Sequence, residues 1–239
     1  MSLECTNDLD RIIHGTAPNV NLGNAYTLCC WARPTDLTTV ARRVIDICKQ
    51  AGAPQTSLLF TQQTTDNLQA ADSRVTTGMA LRSANSFATT NSWQFFAVVA
   101  DSTLPGVARL YRGTETVACV EPTYLIQTVP VGSRTFDADA PLCVGSRQFG
   151  TNSFRGQVAM AAAYNRVLSQ AELQQTQFQL LPLAGCLVHS VYLHLPGGFA
   201  RDWSGSGNHG TLVQGAVSTL EPLPVLALRG RMKRTQEAA

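Results

Sequence analysis

Side chains that could bind an ion or a ligand are concentrated in one glycine-rich loop at 197–210, GGFARDWSGSGNHG. Within it, Asp202, Ser204, Ser206 and Asn208 alternate along the chain. Oxygen donors at this spacing suit Ca²⁺, which takes about six to eight oxygen ligands. The loop has no second carboxylate and no closing glutamate, so it favours a turn network in which Asp202 and Asn208 hydrogen-bond their own backbone. We expect that network and no cofactor, with Ca²⁺ as the alternative. The positive φ angles of the loop would come from Gly205, Gly207 and Gly210.

Trp203 lies in the same loop and is the aromatic residue best placed to stack on a sugar ring. Tyr124 and Phe149 are further aromatic candidates. We expect Trp203 to be tucked under its own loop, in which case it would not be available to a ligand. The candidate binding residues of the loop are Asp202, Trp203, Ser204 and Asn208.

Catalytic constellations are not evident in the sequence. Glycoside hydrolysis needs two carboxylates roughly 5 to 9 Å apart, and a strand presents such pairs at alternate positions. Asp137 and Asp139 have that spacing but fall in a predicted loop, where a solvated turn is expected. His189 and His194 lie five residues apart on one predicted strand and so on opposite faces, and the chain has no G-x-S-x-G elbow. We predict structural histidines and a protein that is not an enzyme.

A basic segment, RGRMKR, lies near the C-terminus at 229–234. One interpretation is a solvated, disordered end. The functional alternative is an arm that docks on an acidic neighbour, such as a capsid surface or the next subunit. The cations concerned are Arg229, Arg231, Lys233 and Arg234.

Composition points to a protein that works in contact with other proteins. Charged residues make up 14% of the 239 residues, against a usual value of about 25%, and the formal net charge is only +2. A surface so poor in charge suits contact with partners or with copies of the same chain, and nucleic acid is an unlikely partner. The seven cysteines are odd in number and form no C-x-x-C pair, so we predict reduced, buried thiols and synthesis in a reducing cytoplasm.

Targeting signals are not visible either. The N-terminal residues 1–15 contain no apolar h-region of a signal peptide. No apolar run approaches the roughly 18 residues that a membrane span needs. We expect a soluble product without membrane contact.

Short apolar runs separated by turn residues predict an all-β fold. Residues 36–50 fit either a helix or a strand, and we favour a strand at about 42–48. We predict a loop at 62–73, and a hairpin whose turn is Tyr111 to Gly113 between two short strands. A capping box of Ser169 and Glu172 predicts one short helix near 169–180, lying across one end of a sandwich. The strands are predicted near 9–14, 25–33, 42–48, 57–61, 74–83, 93–101, 107–113, 116–121, 141–146, 153–164 and 186–195. A last short apolar segment follows at 211–217.

Four segments together resemble the LamG-like jelly-roll family of the concanavalin A-like group. They are YTLCCWARP, WQFFAVVAD with VARLYRGTE, SFRGQVAMAAAYNRVLSQAEL, and RDWSGSGNHGTL. The resemblance implies an antiparallel β-sandwich jelly roll over 1–218, followed by an extended or disordered tail at 219–239. It also implies core positions for Trp31 and Trp93. The family's acidic pair is replaced at 157–160, where apolar packing is expected instead.

The order of these segments indicates a function. The RDWSGSGNHGTL loop commonly opens such domains and here comes last, an arrangement that resembles proteins encoded by tailed bacteriophages. We therefore predict a non-catalytic structural or accessory protein of the virion, a capsid decoration or fibre-type component made in the host cytoplasm. It would attach to other virion proteins or to copies of itself. The alternative is a carbohydrate-binding module that recognises glycans on a host or other surface.

Overall fold

A computed structural model describes most of the chain as two antiparallel β-sheets with one helix. All the residues discussed below belong to the described ranges unless stated otherwise. These ranges are 2–6, 10–16, 20–36, 42–47, 56–61, 67–84, 87–103, 107–135, 140–148, 150, 152–192, 199–213 and 217–219.

The first sheet has seven strands and contains the longest apolar segments of the chain. Its strands are β1 (Ser2–Cys5), β3 (Ala25–Pro34), β8 (Gln94–Asp101), β9 (Val107–Thr114), β12 (Gly156–Tyr164), β13 (Cys186–Val191) and β16 (Val217–Thr219). The order across the sheet is β16-β1-β12-β3-β8-β9, and β13 also pairs with β12.

The second sheet has nine strands and two edges that differ in composition. Its strands are β2 (Arg11–Thr16), β4 (Arg42–Ile47), β5 (Thr56–Thr61), β6 (Asn67–Asp72), β7 (Met79–Ser83), β10 (Tyr124–Thr128), β11 (Pro141–Val144), β14 (Phe199–Ala200) and β15 (Gly210–Val213). The order is β10-β7-β6-β5-β4-β11-β2-β15-β14, so β10 and β14 form the two edges.

The main core lies between the two sheets. On β3, Tyr26, Leu28 and Cys30 belong to this core, while Cys29 and Trp31 belong to a second cluster on the other face of the strand. Because successive side chains of a strand point to opposite faces, a strand buried on both sides needs a continuous apolar sequence. This is why β3 could be predicted as a central strand.

The helix α1 (Gln170–Gln179) covers the outer face of the seven-stranded sheet. The predicted capping box is present, with Ser169 and Glu172 each bonding the other's backbone. Trp31 Nε1 donates to the carbonyl of Gln177 at 2.9 Å, and Leu173 is buried in the same cluster. The predicted position across one end of the sandwich is therefore wrong: the helix packs on a face, because that face carries apolar side chains that must be buried.

The predicted loop at 62–73 is corrected by strand β6. Leu68 and Ala70 point into the main core, and the strand pairs with β5 on one side and β7 on the other. Asn67 is buried but satisfied, since its Nδ2 donates to the carbonyl of Ser83 at 2.7 Å. A strand with only two core-facing apolar residues and a buried amide is hidden in a polar sequence. Residues 62–66 lie outside the described ranges.

The predicted hairpin turn at Tyr111 to Gly113 is also wrong. Strand β9 runs through these residues to Thr114, and the turn follows at 115–117. A side chain at Gly113 would collide with the side chain of Gln177 on the helix, so this glycine permits close packing rather than a turn. Strands β1, β10, β14 and β16 were not predicted, and β7 covers only the second half of the predicted 74–83 strand. The predicted strand at 116–121 is wrong, since these residues contain only an isolated bridge at Val120.

Other predictions are confirmed or fall outside the described residues. Residues 42–47 are a strand, and six cysteines are buried and free, namely Cys5, Cys29, Cys30, Cys119, Cys143 and Cys186.

Within the described part of the chain, no helix is long and apolar enough to cross a membrane. Strand β16 ends at Thr219, and the predicted tail beyond it, together with 37–41, 136–139 and His194, lies outside the described ranges.

Candidate functional site

The loop that connects β14 to β15 lies at one edge of the nine-stranded sheet and beside β13. From Phe199, in β14, to Trp203, in the loop, the side chains alternate between exposed and buried, although only Phe199 and Ala200 pair as a strand. Ala200 and Asp202 point inward, and Arg201 points outward. The alternation places Phe199, Arg201 and Trp203 on one outward side.

The carboxylate of Asp202 anchors this loop from the inside. Oδ1 accepts from the backbone N–H groups of His189 and Ser204, both at 2.9 Å. Oδ2 accepts from the Ser204 hydroxyl at 2.8 Å and from the N–H of Asn208 at 2.9 Å. Burial alone would raise the pKa of Asp202, but these hydrogen bonds outweigh burial and hold the pKa below its usual value. The predicted turn network is confirmed for Asp202, whose carboxylate bonds the N–H groups of Ser204 and Asn208. The Nδ2 of Asn208 bonds a residue outside the loop instead.

Asn208 ties the far end of the loop to the body of the protein. Its Nδ2 donates to the carbonyl of Leu187 at 2.8 Å, and its own carbonyl oxygen lies 3.0 Å from His14 Nδ1. His14 Nε2 lies 3.0 Å from the hydroxyl of Tyr192. Burial lowers the pKa of His14 to about 4, so the imidazole is neutral at pH 7. The histidine is structural, as predicted.

Two of the three loop glycines have the predicted conformation. Gly205 and Gly207 have φ angles of +88° and +75°, which favour glycine. Gly210 does not have a positive φ angle. Glycine is needed there for space, because a side chain would collide with Ile12 and with the ring of His14.

Trp203 is exposed, contrary to the prediction that it is tucked under its loop. Its indole is 52% exposed, and the guanidinium carbon of Arg201 lies 4.2 Å from the ring centroid. Two features set the orientation of the indole. The N–H of Trp203 donates to the carbonyl of His189 at 2.7 Å, and Asp202 already occupies the inward position. The alternation then directs the indole to solvent.

Phe199 and His209 complete the outward surface. Phe199 is 45% exposed, and its ring centroid lies 5.0 Å from that of His209. His209 Nδ1 accepts from the N–H of Asp202 at 3.1 Å, so its Nε2 carries the proton in the neutral ring. We name the surface formed by Phe199, Arg201, Trp203 and His209 the aromatic face.

The remaining predicted site residues are not brought to the aromatic face. Tyr124 lies on β10, at the other edge of the sheet, where its hydroxyl accepts from the N–H of Leu110 and donates to Glu121, both at 2.8 Å. Ser204 takes part in the anchor rather than in the surface. Phe149 and the four tail cations Arg229, Arg231, Lys233 and Arg234 lie outside the described residues. Trp31 and Trp93 are buried, as predicted.

Sequence reasoning missed Phe199, Arg201 and His209 as members of the site. The signal that could have revealed them is the alternation F-A-R-D-W, in which small and buried residues separate large outward ones. It was overlooked because the surrounding glycines and asparagine indicate a loop, and the strand period is not expected in a loop.

A second concave feature lies at one end of the seven-stranded sheet. It is an open cleft of about 510 Å³, lined in part by Arg33, Asn91, Trp93 and Glu115. Arg33 Nε donates to the carbonyl of Asn91 at 3.2 Å, and burial raises the pKa of Glu115. Trp93 is 8% exposed and cannot offer a ring face for stacking, so this cleft is a weaker candidate for sugar binding than the aromatic face.

The described residues contain no cluster of three or more histidine, cysteine, aspartate or glutamate side chains that could hold a metal ion. The Asp202 carboxylate, which was the central residue of the Ca²⁺ alternative, already accepts four hydrogen bonds.

The opposite edge of the nine-stranded sheet has a different character. Strand β10 and the residues that follow it run antiparallel to 74–83, and they expose aliphatic rather than aromatic side chains. Leu125 is 55% exposed. We name this edge, which comprises β10, the residues that follow it and the paired segment 74–83, the aliphatic edge. Its exposed members are Val75, Leu125, Ile126 and Val131.

Comparison with known proteins establishes the family. A family model described as the concanavalin A-like lectin/glucanases superfamily matches residues 12–174, which is more than half of the chain. The chain belongs to this superfamily. A search of curated proteins finds no match.

Solved structures of low sequence identity share the fold. A candidate carbohydrate-binding protein from Bacteroides ovatus matches 92% of the chain with a TM-score of 0.64 and 14% identity, and the chain spans 60% of that protein. The enzymatically active domain of tailspike protein 2 of bacteriophage CBA120 matches 76% of the chain at a TM-score of 0.57 and 11% identity, with 28% of the tailspike chain covered. A heptameric SAP-like pentraxin from Limulus polyphemus matches 73% of the chain and 80% of its own length, at a TM-score of 0.52 and 11% identity. The jelly-roll sandwich predicted from the sequence is confirmed.

Proposed function

We propose that the protein is a non-catalytic carbohydrate-binding protein and that the aromatic face holds the sugar. The observation that carries this proposal is the outward position of Phe199 and Trp203 on a loop whose backbone is fixed from the inside by Asp202. Large exposed aromatic rings usually mark a binding surface rather than a structural need. The superfamily, which includes lectins, is consistent with this function.

The spacing of the two rings suits an oligosaccharide. Phe199 and Trp203 are four residues apart in nearly extended chain, which places their Cα atoms roughly 13 Å apart at about 3.3 Å per residue. Sugar rings present apolar C–H faces, and these can pack on an aromatic ring while their hydroxyl groups bond to neighbouring polar groups. The N–H groups of Arg201 and His209 lie between or beside the rings and can serve as donors.

The rigid anchor increases the expected affinity. Weak ligands such as sugars lose affinity when a loop must be ordered on binding, and a loop that is already fixed avoids that entropic cost. Asp202 and Asn208 together connect the loop to β13 and β2 through their hydrogen bonds to His189, Leu187 and His14. The aromatic face is therefore preorganised.

Glycan-array binding of two matched variants tests this proposal. Trp203→Ala removes an exposed ring from the aromatic face, and Leu125→Ala truncates an equally exposed side chain on the aliphatic edge. We expect the first variant to lose array binding and the second to retain it, with both variants folded. If wild-type protein binds no glycan, or if Trp203→Ala binds as well as wild type, the proposal is wrong.

A second candidate function is that of a multi-copy accessory protein of a virion, attached through protein–protein contacts. The aliphatic edge favours it, because the backbone of an edge strand can pair with a strand of another chain, and the exposed apolar side chains can be buried in that contact. Mass spectrometry of purified particles tests this candidate, and particles that lack the protein would exclude it. The two functions are compatible, since a virion protein can also bind glycans.

A further inference from the structure

The aromatic face contains two cationic or proton-donating groups. From these groups we infer that it selects sugars bearing a carboxylate, such as sialic or uronic acids, over neutral sugars. This inference rests on the proposed carbohydrate-binding function and adds the class of ligand.

Arg201 is the first group that supports it. Its guanidinium carbon lies over the Trp203 ring, 4.2 Å from the centroid, a position from which the planar group can stack on the indole. Among the residues that the structure describes, its guanidinium has no hydrogen bond or ion pair. A stacked guanidinium keeps its N–H donors at the edge of the plane, where a carboxylate can accept two parallel hydrogen bonds.

His209 is the second group. Its Nδ1 is occupied by the N–H of Asp202, which leaves Nε2–H as a donor on the other side of the ring. Its ring lies against Phe199, at a centroid distance of 5.0 Å. Each aromatic ring of the face is therefore paired with a nitrogen donor, and among the residues that the structure describes neither donor has an ion pair with an acidic side chain.

The carboxylate of Asp202 does not oppose an anionic ligand. Asp202 is 5% exposed and lies behind the face, where four hydrogen-bond donors stabilise its charge. Its position between Arg201 and Trp203 in the sequence puts it on the opposite side of the extended chain. An acidic sugar on the outside would meet the rings and the donors, not this carboxylate.

Isothermal titration of the full chain with matched oligosaccharides tests the inference. The probes are sialyllactose, a glucuronate oligosaccharide and neutral lactose. We expect at least one acidic probe to bind about tenfold more tightly than lactose, because hydrogen bonds to a charged acceptor are roughly twice as strong as neutral ones. Which of the two acidic probes binds more tightly identifies the source of the carboxylate.

Two variants separate this inference from the function on which it rests. Arg201→Gln should bring the affinities of acidic and neutral probes to within about threefold of each other, while Arg201→Lys, which keeps the charge but not the planar fork, should retain part of the preference. Equal binding of acidic and neutral sugars by wild type, with binding lost in Trp203→Ala, would overturn the acidic preference and leave the carbohydrate function intact. Binding of single-stranded oligothymidylate in the absence of any sugar binding would overturn both.

Discussion

The two edges of the nine-stranded sheet carry exposed apolar surface of opposite kinds. At the β14 edge the outward residues are aromatic, accompanied by Arg201 and His209, and held on a loop with a buried anchor. At the β10 edge they are aliphatic, with Leu125 and Ile126 on the strand itself. Exposed aromatic rings with polar donors suit small polar ligands, and exposed aliphatic strands suit other strands.

The difference shows how one sandwich can separate two kinds of contact. At the β14 edge, buried polar groups hold a loop in place. The ion pair beside β10, between Arg109 Nη1 and Glu121 Oε2 at 3.5 Å, is partly exposed. Rigidity helps a small ligand, which gains from preorganisation, and matters less for strand pairing, which is directed by the backbone.

Removing the anchor should have the largest effect and should distinguish the two edges most clearly. Asp202→Ala leaves four donors without their acceptor, and we expect a loss of about 3 kcal/mol in the free energy of unfolding together with the loss of glycan binding. Glu121→Ala, which removes a surface ion pair at the other edge, should cost less than about 1 kcal/mol and leave binding unchanged. Urea unfolding of both variants checks this, and equal costs would contradict the comparison.

A fall in pH should destabilise the β14 edge, which carries the aromatic face, more than the aliphatic edge. His14, which holds Asn208, has a pKa lowered to about 4 by burial, so the folded protein keeps it neutral while the unfolded chain binds a proton below about pH 6.5. Stability that is present above pH 6.5 is therefore lost as the pH falls toward 4, by about 2 kcal/mol between pH 7 and pH 5.

Hydrogen exchange measured by mass spectrometry at both pH values, corrected for intrinsic rates, locates this effect. Residues 199–209 should lose more protection at pH 5 than residues 124–133. His14→Gln is the matched variant and should reduce the pH dependence. Equal loss of protection at the two edges would show that the histidine does not act on the loop.

The aliphatic edge should control self-association. Leu125→Lys places a charge on the edge strand, a substitution that natural edge strands use to prevent pairing. We expect it to weaken any self-association of the chain more than tenfold, about 1.4 kcal/mol, without changing glycan binding. Sedimentation equilibrium of wild type, Leu125→Lys and Trp203→Ala measures this. If Trp203→Ala dissociates the oligomer instead, the roles of the two edges are reversed.

Calcium should have the smallest effect on either edge. Both carboxylate oxygens of Asp202 are engaged by protein donors, so an ion would have to displace existing hydrogen bonds. We expect EDTA and millimolar Ca²⁺ to leave the thermal midpoint and the glycan affinity unchanged in differential scanning fluorimetry and titration. A stabilisation by Ca²⁺ that is absent in Asp202→Asn would show that the loop binds the ion.

Strands buried on both faces could be predicted from the sequence, and so could the half-polar strand β9, but β6 and β10 could not. Strand β12 is an almost continuous apolar segment because both of its faces are covered. One face packs in the main core, and the other packs in the second cluster, which helix α1 covers. Strand β6 was predicted as a loop because its burial depends on Leu68, Ala70 and a satisfied amide. Its partners β5 and β7 are its neighbours in the sequence, but its burial depends on packing in the main core, so local pattern alone does not reveal it.

The site was predicted in part for a similar reason. A carboxylate that bonds nearby backbone N–H groups, as Asp202 bonds those of Ser204 and Asn208, has a local signature, and the turn network was inferred from it. The exposure of Trp203 depends on a contact with His189, whose position the loop sequence does not specify. The partners that complete the aromatic face follow from that orientation and could not be inferred without it.

Tryptophan indole signals give the most direct test of the central claim, that the aromatic face holds the ligand. The chain has three tryptophans, of which Trp31 and Trp93 are buried and Trp203 is exposed. In a ¹⁵N-tryptophan-labelled protein titrated with sialyllactose, a glucuronate oligosaccharide and neutral lactose, we predict that the Nε1–H signal of Trp203 shifts while those of Trp31 and Trp93 stay in place. A shift of Trp93 alone would move the site to the cleft beside Arg33, and unchanged signals with all three sugars would contradict the account.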